Sequence, residues 1–193
     1  EADSRSDIDT IILTGSGKAF VAGADIKFFV KNIKANTIDK IVDFTKYGQD
    51  VLDKIDKSNK KVVAILNGMA LGGGLELALC ADVLLAVPKT KIAFPETGIG
   101  IYPGLGGTQR SAQRVGKGLA KYLVLTGQML GSKQALEIGL IDAIIQPSEI
   151  FEIITGEKEI PNKTKIELSD NWKAIDTLYG KNNYKSIISG NYT

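Results

Sequence analysis

The apolar stretch at residues 62–87 restricts the fold of this 193-residue chain more than any other part of its sequence. It is apolar enough to suggest a membrane span, but Asn67, Glu76 and Asp82 interrupt it. The three consecutive glycines at 72–74 also break its helical continuity, since glycine weakens a helix. A buried strand, a glycine turn and a buried helix explain the stretch better than a membrane span does.

The composition excludes several kinds of catalytic site. The chain has no histidine and one cysteine, which excludes a zinc site, a Ser-His-Asp triad and a Cys-His pair. Acid and base chemistry must therefore come from carboxylates, lysines, tyrosines or the backbone. Because Cys80 is the lone cysteine, an intramolecular disulfide is impossible, and we expect a reducing, cytoplasmic location.

Length and charge are typical of one soluble domain. A chain with 44% hydrophobic and 24% charged residues can bury a core of its own at this size. Its 24 basic and 22 acidic residues give a net charge of +2, and no basic stripe lies between aromatic residues. We therefore expect neither a nucleic acid nor a membrane as partner. The chain opens with Glu1 and has no recognisable signal peptide, so we expect the native N-terminus to be absent.

The spacing of apolar residues predicts an α/β architecture in which strands and helices alternate. Strands are predicted over residues 9–14, 61–66, 82–86 and 91–94. Helices are predicted over residues 37–57, 73–81, 107–115, 117–125 and 132–138. After about Pro147 the pattern changes: residues 157–165 predict a loop or extended arm, and short helices are expected at 171–178 and 184–189. We therefore assign residues 1–146 to a catalytic core and residues 147–193 to a tail or linker.

The glycine triplet at 72–74 stands directly before a short helical pattern that carries Glu76. Consecutive glycines cost backbone entropy, which suggests that a ligand or another backbone approaches closely here. If the helix starts at Gly73, the N–H of that residue is unpaired and Glu76 lies on the same face three residues later. This pattern is typical of a catalytic site, but a tight packing turn with Glu76 favouring the helix dipole would also produce it.

Two further segments could complete such a site. Residues 23–26 (GADI) could supply a second N–H donor, and two converging donors form an oxyanion hole. The alternative is that Asp25 caps the helix or loop that follows. Glu96 ends a short strand and enters a glycine-rich loop, where active-site groups are common, although a surface glutamate would fit the same pattern.

The sequence contains no complete nucleotide-binding motif. Residues 14–19 (TGSGKA) lack the upstream glycine and the Ser or Thr after lysine that a phosphate-binding loop needs. The nearest match to G-x-G-x-x-G starts at Gly104 and has Gln109 in place of the last glycine. We therefore expect no nicotinamide or ATP site.

Four segments resemble, in order, the successive motifs of the enoyl-CoA hydratase/isomerase (crotonase) family. They are GKAFVAGADI (17–26), NGMALGGGLELALCAD (67–82), FPETGIGIYPGLGGTQR (94–110) and LTGQMLGSKQALEIGLIDAII (125–145). The match covers about residues 8–146. The resemblance implies a spiral of ββα turns that forms a cavity for an acyl-CoA thioester.

The resemblance also implies roles for individual residues. The N–H groups of Ala24 and Gly73 would hold the thioester oxygen as it becomes enolate-like. Glu76 would direct a water to the β-carbon of the double bond, and Glu96 would exchange the proton at the α-carbon. The substrate-contacting residues implied are Ala22, Ala24, Asp25, Ile26, Lys27, Gly73 and Gly104. No metal or redox cofactor is implied, because coenzyme A is part of the substrate.

The presence of both glutamates favours a hydratase within this family. Family isomerases usually keep one acid/base carboxylate near this place, and hydrolases or decarboxylases often change one or both. The alternatives are an enoyl-CoA isomerase and a non-catalytic acyl-CoA-binding or scaffolding domain.

Both ends of the chain depart from the family pattern. The resemblance implies that the first spiral turn is missing, together with the long C-terminal helices that cover the acyl pocket and help build trimers. Residues 160–193 resemble instead the linker of hydratase domains fused to a 3-hydroxyacyl-CoA dehydrogenase. We expect a fragment of a larger, bifunctional polypeptide that forms trimers or hexamers as the family does.

Overall fold

Two four-stranded sheets form the centre of the computed structural model, which describes residues 1–181. The first sheet has the order β1 (Thr10–Thr14), β3 (Lys61–Leu66), β5 (Val83–Ala86) and β8 (Ala143–Ile144). The second has the order β2 (Ala19–Val21), β4 (Met69–Leu71), β6 (Lys91–Ala93) and β7 (Leu130–Gly131). Neighbouring strands in both sheets run parallel, except that β6 and β7 are antiparallel.

Helices follow the strands and cover the sheets. They are α1 (Ile26–Lys34), α2 (Ile38–Asp56), α3 (Gly73–Ala78), α4 (Gly107–Val115), α5 (Lys117–Thr126), α6 (Ser132–Glu137), α7 (Glu149–Thr155) and α8 (Asp170–Gly180). Short 3-10 helices occupy Ala2–Ser4 and Pro95–Ile99. In the part of the chain that the structure describes, no helix has both the length and the apolar character that crossing a bilayer requires.

The chain alternates between the two sheets in a regular order. β1 is followed by β2 and then by α1 and α2, β3 by β4 and α3, and β5 by β6 and α4. Each of these passes is one ββα turn, and successive turns pair side by side in both sheets. The predicted α/β class and the spiral of ββα turns are both confirmed.

The side chains of β3 alternate between two apolar cores. Val62, Ala64 and Leu66 belong to the larger core, which α3, α4, α5 and α6 cover. Val63 and Ile65 point to the opposite face, where α7 covers them. Because both faces of the first sheet are buried, its strands read as continuous apolar runs. The first sheet is therefore enclosed between the two apolar cores.

Most predicted elements are confirmed with small changes at their ends. The helix predicted over 73–81 stops at Ala78, and the helix predicted over 132–138 stops at Glu137. The sequence patterns missed β2, β4, β7 and β8, because strands of two or three residues are too short to show a period. They also missed the helices α1 and α7. The loop expected directly after the strand at 91–94 is wrong in its first part, since the 3-10 helix Pro95–Ile99 forms there.

The tail packs on the core through α8. Asp176 Oδ1 accepts a hydrogen bond of 3.1 Å from the Leu119 N–H at the start of α5, and the Tyr122 and Trp172 rings meet edge to face. The helix predicted over 171–178 and the irregular segment over 157–165 are thereby confirmed. The helix predicted over 184–189 lies outside the described residues, and the division of the chain at residue 146 stays a prediction.

Candidate functional site

The candidate site is built at the carboxyl ends of three neighbouring strands. Ala24 follows β2, Gly73 follows β4 and Glu96 follows β6, and these strands are adjacent and parallel in the second sheet. The carboxyl ends of parallel strands meet at one edge of a sheet. Groups that are distant in sequence are therefore brought to one place.

Glu76 is held in this place by the backbone of a neighbouring loop. Its side chain is buried, with 1% of the residue exposed, and Oε1 accepts hydrogen bonds from the N–H groups of Leu105 (2.7 Å) and Gly107 (2.8 Å). Gly107 begins α4, so the carboxylate faces a helix N-terminus. Burial raises the pKa of Glu76, while the two hydrogen bonds and the nearby Arg110 cation act in the opposite direction.

Glu96 lies on the 3-10 helix Pro95–Ile99 with one oxygen unsatisfied. Within residues 1–181 its buried Oε2 has no hydrogen-bond partner. Burial raises the pKa of Glu96 to about 7, and the charge of Glu76 adds to this rise, while a hydrogen bond from its own backbone N–H opposes it. A carboxyl group with such a pKa can both hold and release a proton near neutral pH.

Two glycines allow the carboxylates to approach the backbone this closely. A Cβ added at Gly72, whose φ is 53°, would lie 2.7 Å from Glu96 Oε1. A Cβ added at Gly107 would lie 2.8 Å from Glu76 Cγ and 2.8 Å from Phe94 Cε1. Real Cβ atoms do not approach other atoms so closely. Both glycines are therefore part of the site geometry, and for Gly72 this agrees with the close approach that the glycine triplet predicted.

Two free backbone donors lie beside the carboxylates. Gly73 begins α3, so its N–H has no acceptor within the helix, and a Cβ added there would lie 4.0 Å from the Ala24 nitrogen. Neither N–H donates a hydrogen bond to an acceptor among residues 1–181. The pair that the sequence analysis named as donors is thus brought together with both donors unused.

The residues around Ala24 begin a groove along α1. Asp25 caps this helix, because its Oδ1 accepts a hydrogen bond of 2.9 Å from the Lys27 N–H. This confirms the capping interpretation of Asp25 without using the N–H of Ala24. Ala24, Asp25, Ile26 and Lys27 line a shallow groove of about 530 Å³, and Ala22 is exposed just before it.

Gly104 lies against α2. Its carbonyl oxygen accepts a hydrogen bond of 2.6 Å from Gln49 Nε2, and a Cβ added there would have Thr45 Cγ2 as its nearest neighbour, at 3.6 Å. Its predicted contribution to the pocket near Glu96 stays a prediction.

Sequence reasoning missed Arg110. This side chain is buried, with 8% exposed; Nη1 donates to the Leu105 carbonyl (2.9 Å) and Nη2 donates to Asp53 Oδ1 (2.7 Å). A buried arginine cannot be distinguished from a surface arginine by helical periodicity, because its partners come from elsewhere in the chain. The one feature of the sequence that could have indicated a role for Arg110 is its position in the first turn of α4, directly after the glycine-rich segment.

Comparison with known protein sequences agrees with this geometry. The enoyl-CoA hydratase/isomerase family pattern matches residues 1–174. A crotonyl-CoA hydratase of Syntrophomonas wolfei is 44% identical over 145 residues, which cover 75% of this chain and 54% of the relative. A short-chain-enoyl-CoA hydratase of Clostridium acetobutylicum is 42% identical over 164 residues, which cover 84% of this chain and 60% of the relative. The chain thus spans a little over half the length of these curated relatives.

A solved structure supports the same family relationship. The crystal structure of an enoyl-CoA hydratase from Bacillus anthracis matches with a TM-score of 0.73 at 32% identity, over 81% of this chain and 59% of that one. Such a score means that the two chains share one fold over the matched part. Together with the family match over most of its length, this places the chain in the enoyl-CoA hydratase/isomerase family.

Proposed function

We propose that this chain is the catalytic part of an enoyl-CoA hydratase, which adds water to a 2-enoyl-CoA thioester and gives a 3-hydroxyacyl-CoA. The observation that supports this most is that Glu96 and the free N–H groups of Ala24 and Gly73 meet at the Gly72–Gly73 peptide, with the Glu76 charge close enough to raise the Glu96 pKa. A donor pair for a developing oxyanion beside two acid/base groups is what this addition requires. The hydratase names of the two sequence relatives point the same way.

The N–H groups of Ala24 and Gly73 would stabilise the negative charge that develops first, on the thioester oxygen. They would donate hydrogen bonds to the thioester oxygen, which draws electrons from the double bond and makes the β-carbon electrophilic. Each such donor typically contributes about 3 kcal/mol to transition-state stabilisation. Because both donors are fixed by the backbone, little reorganisation is needed when the negative charge develops.

The two glutamates would then share the addition of water. Glu76 has Oε1 anchored, and among residues 1–181 its Oε2 accepts no hydrogen bond, so this oxygen can hold the attacking water and take its proton. The water oxygen bonds to the β-carbon, and the electrons of the double bond pass into the enolate. Protonated Glu96 would deliver its proton to the α-carbon, which restores the thioester carbonyl.

The pKa of Glu96 predicts how the hydration rate depends on pH. Protonated Glu96 is the proton donor, so its population falls as pH rises through about 7. We therefore expect kcat/KM for hydration to decline above this pH, and a steady-state profile measured from about pH 5 to 9 checks it. Glu96→Gln should remove this decline from the residual rate. A wild-type profile that stays flat through neutrality contradicts the assignment of the proton donor.

One assay separates the proposed hydratase from its alternatives. We expect crotonyl-CoA incubated with the chain to lose its enoyl absorbance and to gain the mass of one water, and a Glu76→Gln/Glu96→Gln double variant should not do this. A 3-enoyl-CoA that changes into a 2-enoyl-CoA without gaining water would support an isomerase instead. Binding of acetyl-CoA by calorimetry without turnover of either substrate would support a non-catalytic domain.

Assembly and cellular role are extensions of the same proposal. The family resemblance supports a trimer or hexamer, and the residues at 160–193 support fusion to a 3-hydroxyacyl-CoA dehydrogenase. The lone Cys80 supports a cytoplasmic location. A role in fatty-acid β-oxidation follows if the substrates are 2-enoyl-CoA thioesters, because their hydration is a step of that process.

A further inference from the structure

The loop at residues 104–107 is bound from two sides. On one side, the N–H groups of Leu105 and Gly107 converge on Glu76 Oε1. On the other, the Leu105 carbonyl oxygen accepts a hydrogen bond of 2.9 Å from Arg110 Nη1. The two N–H donors and this carbonyl belong to the three consecutive residues Leu105, Gly106 and Gly107, or to the peptide bonds that join them, so a hydrogen bond to the carbonyl restrains the segment that carries both donors. Arg110 therefore acts on the same turn that holds the glutamate.

Arg110 is itself held in a single place by α2. Its Nη2 donates to Asp53 Oδ1 (2.7 Å). Its Nε lies 3.4 Å from Asp56 Oδ2 as an ion pair, but it makes no hydrogen bond within residues 1–181. Because the donors of a guanidinium group form a rigid fork, Nη1 can donate to the Leu105 carbonyl while Nη2 donates to Asp53. An arginine with 8% of its surface exposed is costly to bury without partners, so these contacts define its position.

The backbone of the loop is shaped to receive this guanidinium group. Gly106 has a φ of 101°, and a Cβ added there would lie 2.2 Å from Arg110 Nη1. Three of the four residues at 104–107 are glycines, so the segment has little rigidity of its own. The Gln49 hydrogen bond to the Gly104 carbonyl adds a second attachment to α2. The loop is thus held in place by hydrogen bonds from the side chains of Gln49 and Arg110.

We propose that Arg110 is a positioning residue, which holds the turn at 105–107 so that its N–H groups aim the Glu76 carboxylate at the attacking water. The inference rests on the proposed function of Glu76. Arg110 would act mainly through the loop, since its hydrogen bonds go to Leu105 and Asp53 and its charge is the smallest of the influences on the Glu76 pKa. Hydrogen bonds are directional, so a loose turn would no longer fix the carboxylate.

The experiment compares Arg110→Gln and Arg110→Lys with Arg114→Gln as a matched control. Arg114 lies on the same helix, is similarly buried and pairs with Asp142, away from Glu76. Arg110→Gln should lower kcat by about 10- to 100-fold, the scale of a small misplacement of a reacting group, with KM changed less than about twofold. Arg110→Lys should recover part of this loss, and Arg114→Gln should leave kcat unchanged per folded molecule.

A double-variant cycle separates positioning from general destabilisation. If Arg110 acts through Glu76, adding Arg110→Gln to Glu76→Gln should change the residual rate by less than about twofold. A larger change would exceed the scatter within which the effects of independent substitutions add. An equal loss of kcat in both backgrounds, or an equal loss in Arg114→Gln, overturns the inference.

An NMR measurement, which needs no enzymatic turnover, tests the role of Arg110 independently of the proposed hydratase activity. In ¹H–¹⁵N spectra, Glu76→Gln and Arg110→Gln should shift the amide resonances of Leu105 and Gly107, and Arg114→Gln should not. If the wild-type chain hydrates no enoyl-CoA, the proposed function fails while these shifts still test the loop. If Arg110→Gln leaves both resonances in place, the positioning role is wrong whatever the activity.

Discussion

Replacing Glu76 or Glu96 by glutamine is expected to lower the rate of crotonyl-CoA hydration by about 10²- to 10⁴-fold, the usual contribution of a positioned acid or base. Glutamine keeps the shape of glutamate, and at position 76 its amide oxygen can still accept the N–H groups of Leu105 and Gly107. It cannot take or give the proton that the addition needs. The loss should therefore appear in kcat, with KM changed little.

The fall in rate should occur in folded protein. Burial raises the pKa of Glu96 to about 7 in the folded state, above its ordinary value, so the folded state holds the proton more tightly than the unfolded state does. Stability from this group is thus lost as pH rises towards and through that value. Glu96→Gln has no such charge to bury and should unfold at no lower urea concentration than wild type at pH about 8.

Glu137 offers a control glutamate. It accepts a hydrogen bond of 3.1 Å from Trp172 Nε1 on α8 and does not reach the site. Glu137→Gln should keep its hydration rate. A near-normal rate in either Glu76→Gln or Glu96→Gln would sink the acid/base assignment.

Replacing Gly74 by alanine is expected to have the largest effect on stability. The added Cβ would lie 2.0 Å from the Val21 carbonyl oxygen and 2.7 Å from its carbonyl carbon, so β2 and α3 must separate. Insertion of one methyl group into a packed core typically costs about 1–3 kcal/mol, and a clash with backbone should exceed this range. The helical preference of alanine over glycine, about 1 kcal/mol, is too small to compensate.

The matched control for this prediction is Gly98→Ala. A Cβ added at Gly98 would have no atom within 4 Å, and the residue is exposed. Urea unfolding should give a free energy of unfolding close to wild type for Gly98→Ala and a large loss for Gly74→Ala. Equal values for the two variants would contradict the tight contact between β2 and α3. Because β2 leads to Ala24, the Gly74 variant should also lose hydration activity in any fraction that folds.

The sequence predicted the parts of this molecule that depend on local spacing. The continuous apolar run at 61–66 and the helical spacing that predicted the helix Ile38–Asp56 are both local signals, and both elements are found. The glycine triplet before Glu76 indicated a close approach, and Gly72 and Gly74 are indeed packed against Glu96 and Val21. Glu76 and Glu96 were selected because acidic residues are uncommon in apolar surroundings.

Contacts between residues that are far apart along the chain could not be predicted from the sequence. Met69–Leu71 is a strand because β2 and β6 offer hydrogen bonds on either side, and three residues show no pattern of their own. Arg110 is buried because Asp53, 57 positions earlier, lies opposite it. The capping role of Asp25 was one of two open interpretations, because a cap and a loop next to a ligand share the same residues.

The parallel order of β2, β4 and β6 has a consequence for how such proteins can diversify. Each strand end contributes its own group: a backbone donor at Ala24, a backbone donor at Gly73 and a carboxyl at Glu96. The two backbone donors depend on chain path rather than on side-chain identity, so they can persist while residue 96 is exchanged. If the proposed function holds, such a scaffold would retain the stabilisation of an enolate together with its fold, and single substitutions would determine how that enolate reacts.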